Sequence, residues 1–416
     1  MKHIICLILL ILVYRNIIGQ DNLPQSISLS DAERIARENK PELKKGINKI
    51  SSARGKYLIG ISPQMPELSL TYDFVPLGTG LGNYEERSIE LNQNIEFPLK
   101  TIYKSNQLNN SIDIVRAENE VTNLNVINDV RRAYIILLEK QALINIAEEN
   151  SIVANEFKTK STIRYNVGEA TNLEKLTADV QYTQALNNLE VIKNQYKNAL
   201  SDLLYSIGIK EISNDYNPLL TDSLIYIPFS ETIEMVLLKT KNTNPLLLLS
   251  GLKKSNSLIG KKIAISSYLP DFSLGYKRQS INGVNNYYGV NFGISVPLWF
   301  MFDQKGKIEE ANAEIKISEN EFDENYISVV NATKKAFVNL KNSEKQILLY
   351  KNALIPESEE IYRVANASYQ IGEITYLEYL QANQTLIKTK ENYFSVLKDY
   401  NLNIIELEKA IGKKLF

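Results

Sequence analysis

Histidine and cysteine are almost absent from this 416-residue chain: the sole histidine is His3 and the sole cysteine is Cys6. Both fall in a leader-like stretch. Lys2 and His3 form its basic end, Ile4 to Val13 an apolar run of ten, and Gly19 a small residue at which cleavage can fall. The run is too short to span a bilayer. Residues 1–19 are therefore expected to be a removed secretory signal, with an uncleaved anchor as the alternative. The mature chain then carries neither imidazole nor thiol, which excludes Ser-His-Asp and Cys-His catalysis, zinc sites of the usual N/S type and structural disulfides. Neither an enzyme nor a cofactor or metal site is expected.

Glycine and proline are also scarce, 18 and 12 residues, about 7% together against a usual ~12%. Few chain breakers favour long uninterrupted helices. Charge is nearly balanced: removing Lys2 and Arg15 with the signal leaves a net charge of −3, which argues against a nucleic-acid binder.

An internal duplication organises what remains. Asn39-Lys40-Pro41-Glu42-Leu43 matches Thr243-Asn244-Pro245-Leu246-Leu247, and Pro66-Glu67-Leu68-Ser69-Leu70-Thr71-Tyr72 matches Pro270-Asp271-Phe272-Ser273-Leu274-Gly275-Tyr276, each pair offset by 204. The same offset relates Tyr165-Asn166-Val167-Gly168-Glu169-Ala170-Thr171 to Tyr369-Gln370-Ile371-Gly372-Glu373-Ile374-Thr375, and Ile207-Gly208 to Ile411-Gly412. Two units are expected, 20–208 and 229–416, joined by a linker over 209–228, where Asn217-Pro218 and Pro228 break the pattern.

The apolar period switches within each unit. Residues 29–62 read as helical. From Glu67 the pattern alternates, with Leu68, Leu70, Tyr72 and Phe74 on one face, and Ile89, Leu91, Ile95 and Phe97 form a second such run. A Gly-rich stretch from Pro76 to Arg87 joins them, predicting a β-hairpin over 67–97. Phe272, Leu274 and Tyr276, with Tyr288, Val290, Phe292, Ile294 and Val296, predict another over 271–297. Residues 99–163 and 304–368 then contain no glycine but Gly306 and no proline but Pro356. Each predicts a helix of roughly 98 Å, the second kinked or split at Pro356. Both turn at Gly168 or Gly372 and return with coiled-coil spacing. The first seam is Tyr182, Ala185, Leu189, Ile192, Tyr196, Ala199 and Leu203. The second is Leu386, Thr389, Tyr393, Val396, Tyr400, Asn403 and Leu407. Arg131-Arg132 and Lys334-Lys335, at matching positions, read as solvated helix faces, with intersubunit ion pairs as the alternative. Tyr287, Tyr288 and Trp299 flank the strands, where either an interfacial aromatic belt or core packing would place them.

The fold class is thus mainly α with a small β part: long coiled-coil helical hairpins plus two β-hairpins. Four amphipathic strands leave two open edges. A soluble sheet packed on helices is one solution, and lipid outside with water inside is the other. In its two-fold plan of helix, β-hairpin, long helix and Gly-turn hairpin, the chain resembles the TolC-type outer membrane efflux channel family from about Leu29 to Gly412. The paired turns Val167-Gly168-Glu169-Ala170-Thr171 and Ile371-Gly372-Glu373-Ile374-Thr375 carry the likeness most specifically. The stretches 269–276 and 294–300 resemble the heavy-metal cation efflux subgroup.

The resemblance implies a homotrimer that closes a 12-stranded outer membrane β-barrel in lipid and extends a periplasmic α-helical tunnel, in a Gram-negative bacterium. It implies a passive exit duct served by a periplasmic membrane fusion (adaptor) protein and an inner-membrane pump of RND type, with metal cations as cargo. It also implies a periplasmic gate lined by Glu174 and Glu378, six residues after each tip glycine, with Tyr165 and Tyr369 three residues before. The adaptor contacts it implies are Val167, Gly168, Glu169 and Ala170 with Ile371, Gly372, Glu373 and Ile374. A basic residue common in the family two positions after the second tip glycine is Ile374 here, so that ion pair does not carry over. A second acid seven positions further on is replaced by Gln381. Read from the residues alone, Glu174 and Glu378 are solvated helix surface, Tyr165 and Tyr369 serve packing as readily as a gate, and the whole chain could be a secreted coiled-coil scaffold or adhesin without a pore.

Overall fold

A computed structural model describes residues 24–210 and 216–415. The expected signal, with His3 and Cys6, lies outside them. The described elements run β1 (Ser26–Ile27), α1 (Leu29–Asn39), α2 (Pro41–Ile61), β2 (Glu67–Asp73), β3 (Glu86–Ile95), α3 (Pro98–Asn166), α4 (Asn172–Ser206), β4 (Leu219–Leu220) and α5 (Ile233–Thr243). They continue with α6 (Pro245–Ser266), β5 (Asp271–Ile281), β6 (Val284–Ser295), α7 (Asp303–Leu349), a π-helical turn (Tyr350–Leu354), α8 (Ile355–Gln370) and α9 (Tyr376–Ile411). Two compact units form. The first joins the segment up to Lys40 with Asp129–Pro228 and Ser343–Leu402; the second holds Pro41–Asn128, Phe229–Asn342 and the chain from Asn403 onward. Each unit therefore draws on both sequence repeats.

The second unit contains a four-stranded antiparallel sheet in the order β2-β3-β5-β6. Its register gathers the alternating apolar residues into rows: Leu68 beside Leu91, Tyr276 and Val290, then Ile95 beside Phe272 and Ile294. The opposite face carries polar rows such as Ser69, Glu90, Lys277 and Gly289. Asn282 and Gly283 (φ 48° and 82°) make the two-residue turn between β5 and β6, where left-handed backbone matches strand twist. The apolar face is uncovered within the protomer: Leu68 is 70% exposed and Val290 68%.

α3 is one unbroken helix of 69 residues, about 104 Å long. Its repeat partner is interrupted. Pro356 has no N–H to give the carbonyl four residues back and its ring crowds that carbonyl. The chain relieves this in the π turn Tyr350–Leu354, just before the proline, rather than in a simple kink.

The first seam is buried at Ala185, Leu189, Ile192, Tyr196, Ala199 and Leu203. The second departs from its expected register. Leu386, Tyr400 and Leu407 are buried, but Leu397 and Ile404 take the places expected for Val396 and Asn403, which are half-buried. Leu397 and Ile404 supply larger apolar groups one residue along.

The expected linker is described at 209–210 and 216–228, and the second stretch is anchored. β1 and β4 pair in parallel, and the buried Tyr134 hydroxyl lies beside them, its one proton shared between Ile27 O at 3.0 Å and the Asp222 carboxylate at 2.9 Å. Arg131 is a further correction. It is buried and bonds Glu33 at 2.5 Å rather than facing solvent, because α1 packs over it, whereas Lys334 and Lys335 are exposed. Trp299 is 75% exposed, so it does not pack in a core within the protomer.

Candidate channel gate

Both helical hairpins turn on the same backbone device. Gly168 (φ 84°) donates to Tyr165 O at 3.0 Å and Glu169 to Arg164 O at 2.8 Å; Gly372 (φ 77°) donates to Tyr369 O at 3.2 Å and Glu373 to Ser368 O at 2.9 Å. These are Schellman turns, which need a left-handed residue where they close and so select glycine. Thr171 and Thr375 then cap the returning helices, accepting from the backbone N–H of Glu174 (3.1 Å) and Glu378 (3.4 Å).

From this shared frame the two acids diverge. The Glu378 carboxylate folds back on its own cap, accepting from Thr375 N at 2.7 Å and Thr375 Oγ1 at 2.9 Å, a closed capping box. Those two bonds, the backbone one foremost, hold it below the usual carboxylate range. Glu174 instead reaches the other hairpin, where the Tyr369 hydroxyl donates to it at 2.7 Å. That hydroxyl accepts from Arg164 Nη1 at 2.9 Å, and Arg164 lies 3.6 Å from the Glu174 carboxylate. Arg164 ends α3 and Glu174 opens α4, so each charge also suits its helix end.

Behind this triad the Tyr369 ring packs on Phe157 and Tyr379 at 5.5 and 5.3 Å, and Phe157 stacks on Tyr376 at 4.1 Å. Phe157, Tyr376 and Tyr379 are buried, with Tyr362 against them. Burial, reinforced by the Glu174 charge, raises the Tyr369 phenol and pushes Tyr376 up to about 12, so both rings stay neutral.

The structure thus brings Glu174 and Tyr369 together and leaves Glu378 and Tyr165 apart from them. Tyr165 is partly exposed under the Lys175 ammonium, 5.2 Å from its ring. Of the expected adaptor contacts, Val167, Gly168, Glu169, Ile371, Gly372 and Glu373 are exposed, Ala170 is half-buried, and Ile374 packs against the aromatic cluster. Arg164, Phe157, Tyr376 and Tyr379 were not singled out in the sequence. Their signal is asymmetry: at the 204 offset Arg164 faces Ser368, Tyr376 faces Asn172 and Tyr379 faces Lys175.

Among the described residues, no group of three or more His, Cys, Asp or Glu could hold a metal ion, and no helix is long and apolar enough to cross a membrane. The sheet, with its uncovered apolar face, is the remaining membrane candidate. Comparison with known proteins decides the matter, since the sequence profile described as Outer membrane efflux protein matches residues 34–208 and 260–413. The chain belongs to the outer membrane efflux protein family.

Outer membrane protein TolC of Salmonella enteritidis is 22% identical over 429 residues, covering 97% of this chain and 85% of that protein. The cobalt-zinc-cadmium resistance protein CzcC of Cupriavidus metallidurans is 24% identical over 182 residues, 43% of this chain and 42% of that one. Among solved structures, CusC superposes with a TM-score of 0.76 at 17% identity, covering 92% of each chain. The MtrE outer membrane channel of Neisseria gonorrhoeae, solved in its open state, gives 0.76 at 16% identity over 93% of this chain and 89% of that one. The protein is accordingly an efflux channel of the outer membrane that reaches into the periplasm. A poreless scaffold is not favoured, and the family is one of channels rather than enzymes.

Proposed function

We propose that three copies of this chain close a 12-stranded barrel and act as the passive exit duct of a tripartite exporter, held shut at its periplasmic end by the Arg164–Tyr369–Glu174 triad. The observation that carries the gate is the Tyr369–Glu174 bond, which ties the first helical hairpin to the second at their tips. A hydrogen bond to a charged acceptor contributes about 1.5–3 kcal/mol. Arg164 occupies the cationic role for which position 374 offers only isoleucine. Glu378 holds its own helix start, and Tyr165 stands at the rim. Opening the gate requires the two hairpins to part, and an adaptor engaging the exposed tips Val167-Gly168-Glu169 and Ile371-Gly372-Glu373 is placed to part them. An inner-membrane pump of RND type supplies the energy.

Metal cations are the proposed cargo. The likeness to CzcC supports this, as do Glu67, Asp73 and Glu90 on the polar face of the sheet, which becomes the barrel lumen. The absence of histidine from 20–416 leaves metal selection to the pump and adaptor.

Two experiments test these points. Cells carrying Tyr369→Phe or Glu174→Gln should admit large antibiotics that wild-type cells exclude, whereas Glu378→Gln cells should not; equal exclusion in all three removes the triad from the gate. A deletion strain should become sensitive to cobalt, zinc, cadmium or copper salts. Unchanged metal tolerance with new drug sensitivity assigns another cargo.

A further inference from the structure

The lipid-directed face of the sheet carries two charges that the channel reading does not use. Arg87 in β3 and Arg278 in β5 share the parity of the apolar residues: Arg278 sits between Ile89 and Tyr288, and Arg87 between Tyr72 and Ser280. The register makes them diagonal neighbours, since Arg87 pairs with residue 280 and Arg278 with residue 89. Such neighbours on one face lie about 7–8 Å apart. The remaining cation of the four strands, Lys277, points to the polar face and meets Glu86 at 3.7 Å. No carboxylate lies within 4.0 Å of either arginine among the described residues; the one partner of Arg87 is the Tyr84 ring, 5.5 Å away.

Their height on the sheet limits what can pair with them. The helices leave the strands at Glu67, Ile95, Asp271 and Ser295, so that end is periplasmic and the turns at 74–85 and 282–283 are external. Arg278 lies seven residues and Arg87 eight residues from the periplasmic ends of their strands, roughly 23–26 Å along them. Tilted by about 35–45°, that length rises roughly 16–21 Å, into the outer part of an apolar band about 25 Å tall, from which a long arginine side chain reaches the interface. Tyr72, Tyr84 and Tyr288 stand at the same level, as interfacial aromatics do. Beside Arg87, Ser280 is 96% buried and its Oγ has no hydrogen-bond partner. A guanidinium on a lipid-facing surface needs an anion, and a planar fork of donors suits phosphate.

We propose that Arg87 and Arg278 form a binding site for a phosphate group of an outer-leaflet phosphorylated glycolipid of the lipid A type, with Ser280 Oγ as an additional donor. The site rests on the barrel reading given above, because only a membrane-inserted sheet places these side chains at the outer leaflet. Three protomers would present three such sites around the rim, each holding the lipid headgroup while Tyr72 and Tyr288 flank its sugar.

Native mass spectrometry of the purified protein in detergent, titrated with bisphosphorylated lipid A, tests the proposal. The same lipid with its phosphates removed, and phosphatidylglycerol, serve as comparisons. The wild type should bind lipid A at least tenfold more tightly than the Arg87→Gln/Arg278→Gln variant, and should bind the dephosphorylated lipid no better than the variant does. The variant removes charges from an apolar face, so its insertion is not at risk. Arg87→Lys/Arg278→Lys should retain part of the affinity. Equal lipid A binding by wild type and the Gln variant overturns the site. Arginine-dependent binding of phosphatidylglycerol as tight as that of lipid A overturns the glycolipid assignment. Conductance recorded on the same samples separates the two readings, since a pore without arginine-dependent binding overturns only the lipid site, and absence of a pore overturns the barrel.

Discussion

Glu174 and Glu378 occupy one place in the two repeats, six residues past a tip glycine and three past a capping threonine, yet only Glu174 leaves its cap. The reason lies in their surroundings. Glu174 finds Arg164 and the Tyr369 hydroxyl across the hairpins, whereas the residue matching Arg164 in the other repeat is Ser368, so nothing cationic draws Glu378 away from Thr375. Spacing made both acids visible in the sequence; which one would bridge depends also on Tyr369, 195 residues away, which spacing does not encode. The Glu378 pKa is lowered, so its cap contributes fully above the ordinary value of 4.5 and is lost as pH falls through the depressed value. Protection from hydrogen exchange at the first turn of α9, taken relative to the intrinsic rate at each pH, should fall at that acid end and stay flat through neutral pH. The Tyr369 phenol is raised, so its contribution is complete below the ordinary value of 10 and fades only as pH climbs beyond it. Closing strength should thus be constant between pH 6 and 9 in bilayer recordings, the range in which neither shifted group changes charge.

At the scale of elements, the alternating strands, the long helices and the glycine turns were legible because each rests on a local period or a local backbone need. The missed features are those set by packing at a distance. Leu397 and Ile404 replace Val396 and Asn403 in the buried stripe of α9; the interruption at Pro356 was legible, and only its form, a π turn just before the proline, was not. The stripe can be tested directly: Leu397→Ala should cost about 2–5 kcal/mol as a buried leucine truncation, and Val396→Ala less than about 1.5, read by chemical denaturation. Glycines differ likewise. Gly168 has open space and needs only its left-handed backbone, so Gly168→Ala should cost about 1 kcal/mol. At Gly412 an added Cβ would stand 2.5 Å from Pro245 Cδ as well as facing the same backbone strain, so Gly412→Ala should cost more than Gly168→Ala in the same assay.

For the whole molecule, the sheet is incomplete as a protomer, with β2 and β6 as open edges and one apolar face uncovered. In the proposed trimer, closure by two further copies would satisfy both edges, and lipid would satisfy the face. A charge placed mid-strand on that face should be poorly tolerated: Leu91→Lys should cost about 2–4 kcal/mol and reduce the membrane-inserted oligomer seen on unheated gels. Asn92→Lys, directed to the polar face, should leave it intact. The account's central claim joins this proposed barrel to the triad. Its most direct test is single-channel recording of purified wild type and Glu174→Gln in planar bilayers. Wild type should give discrete steps of small conductance, and the variant larger steps or a tenfold or greater rise in open fraction. Absence of any pore, or identical records from the two proteins, would contradict it.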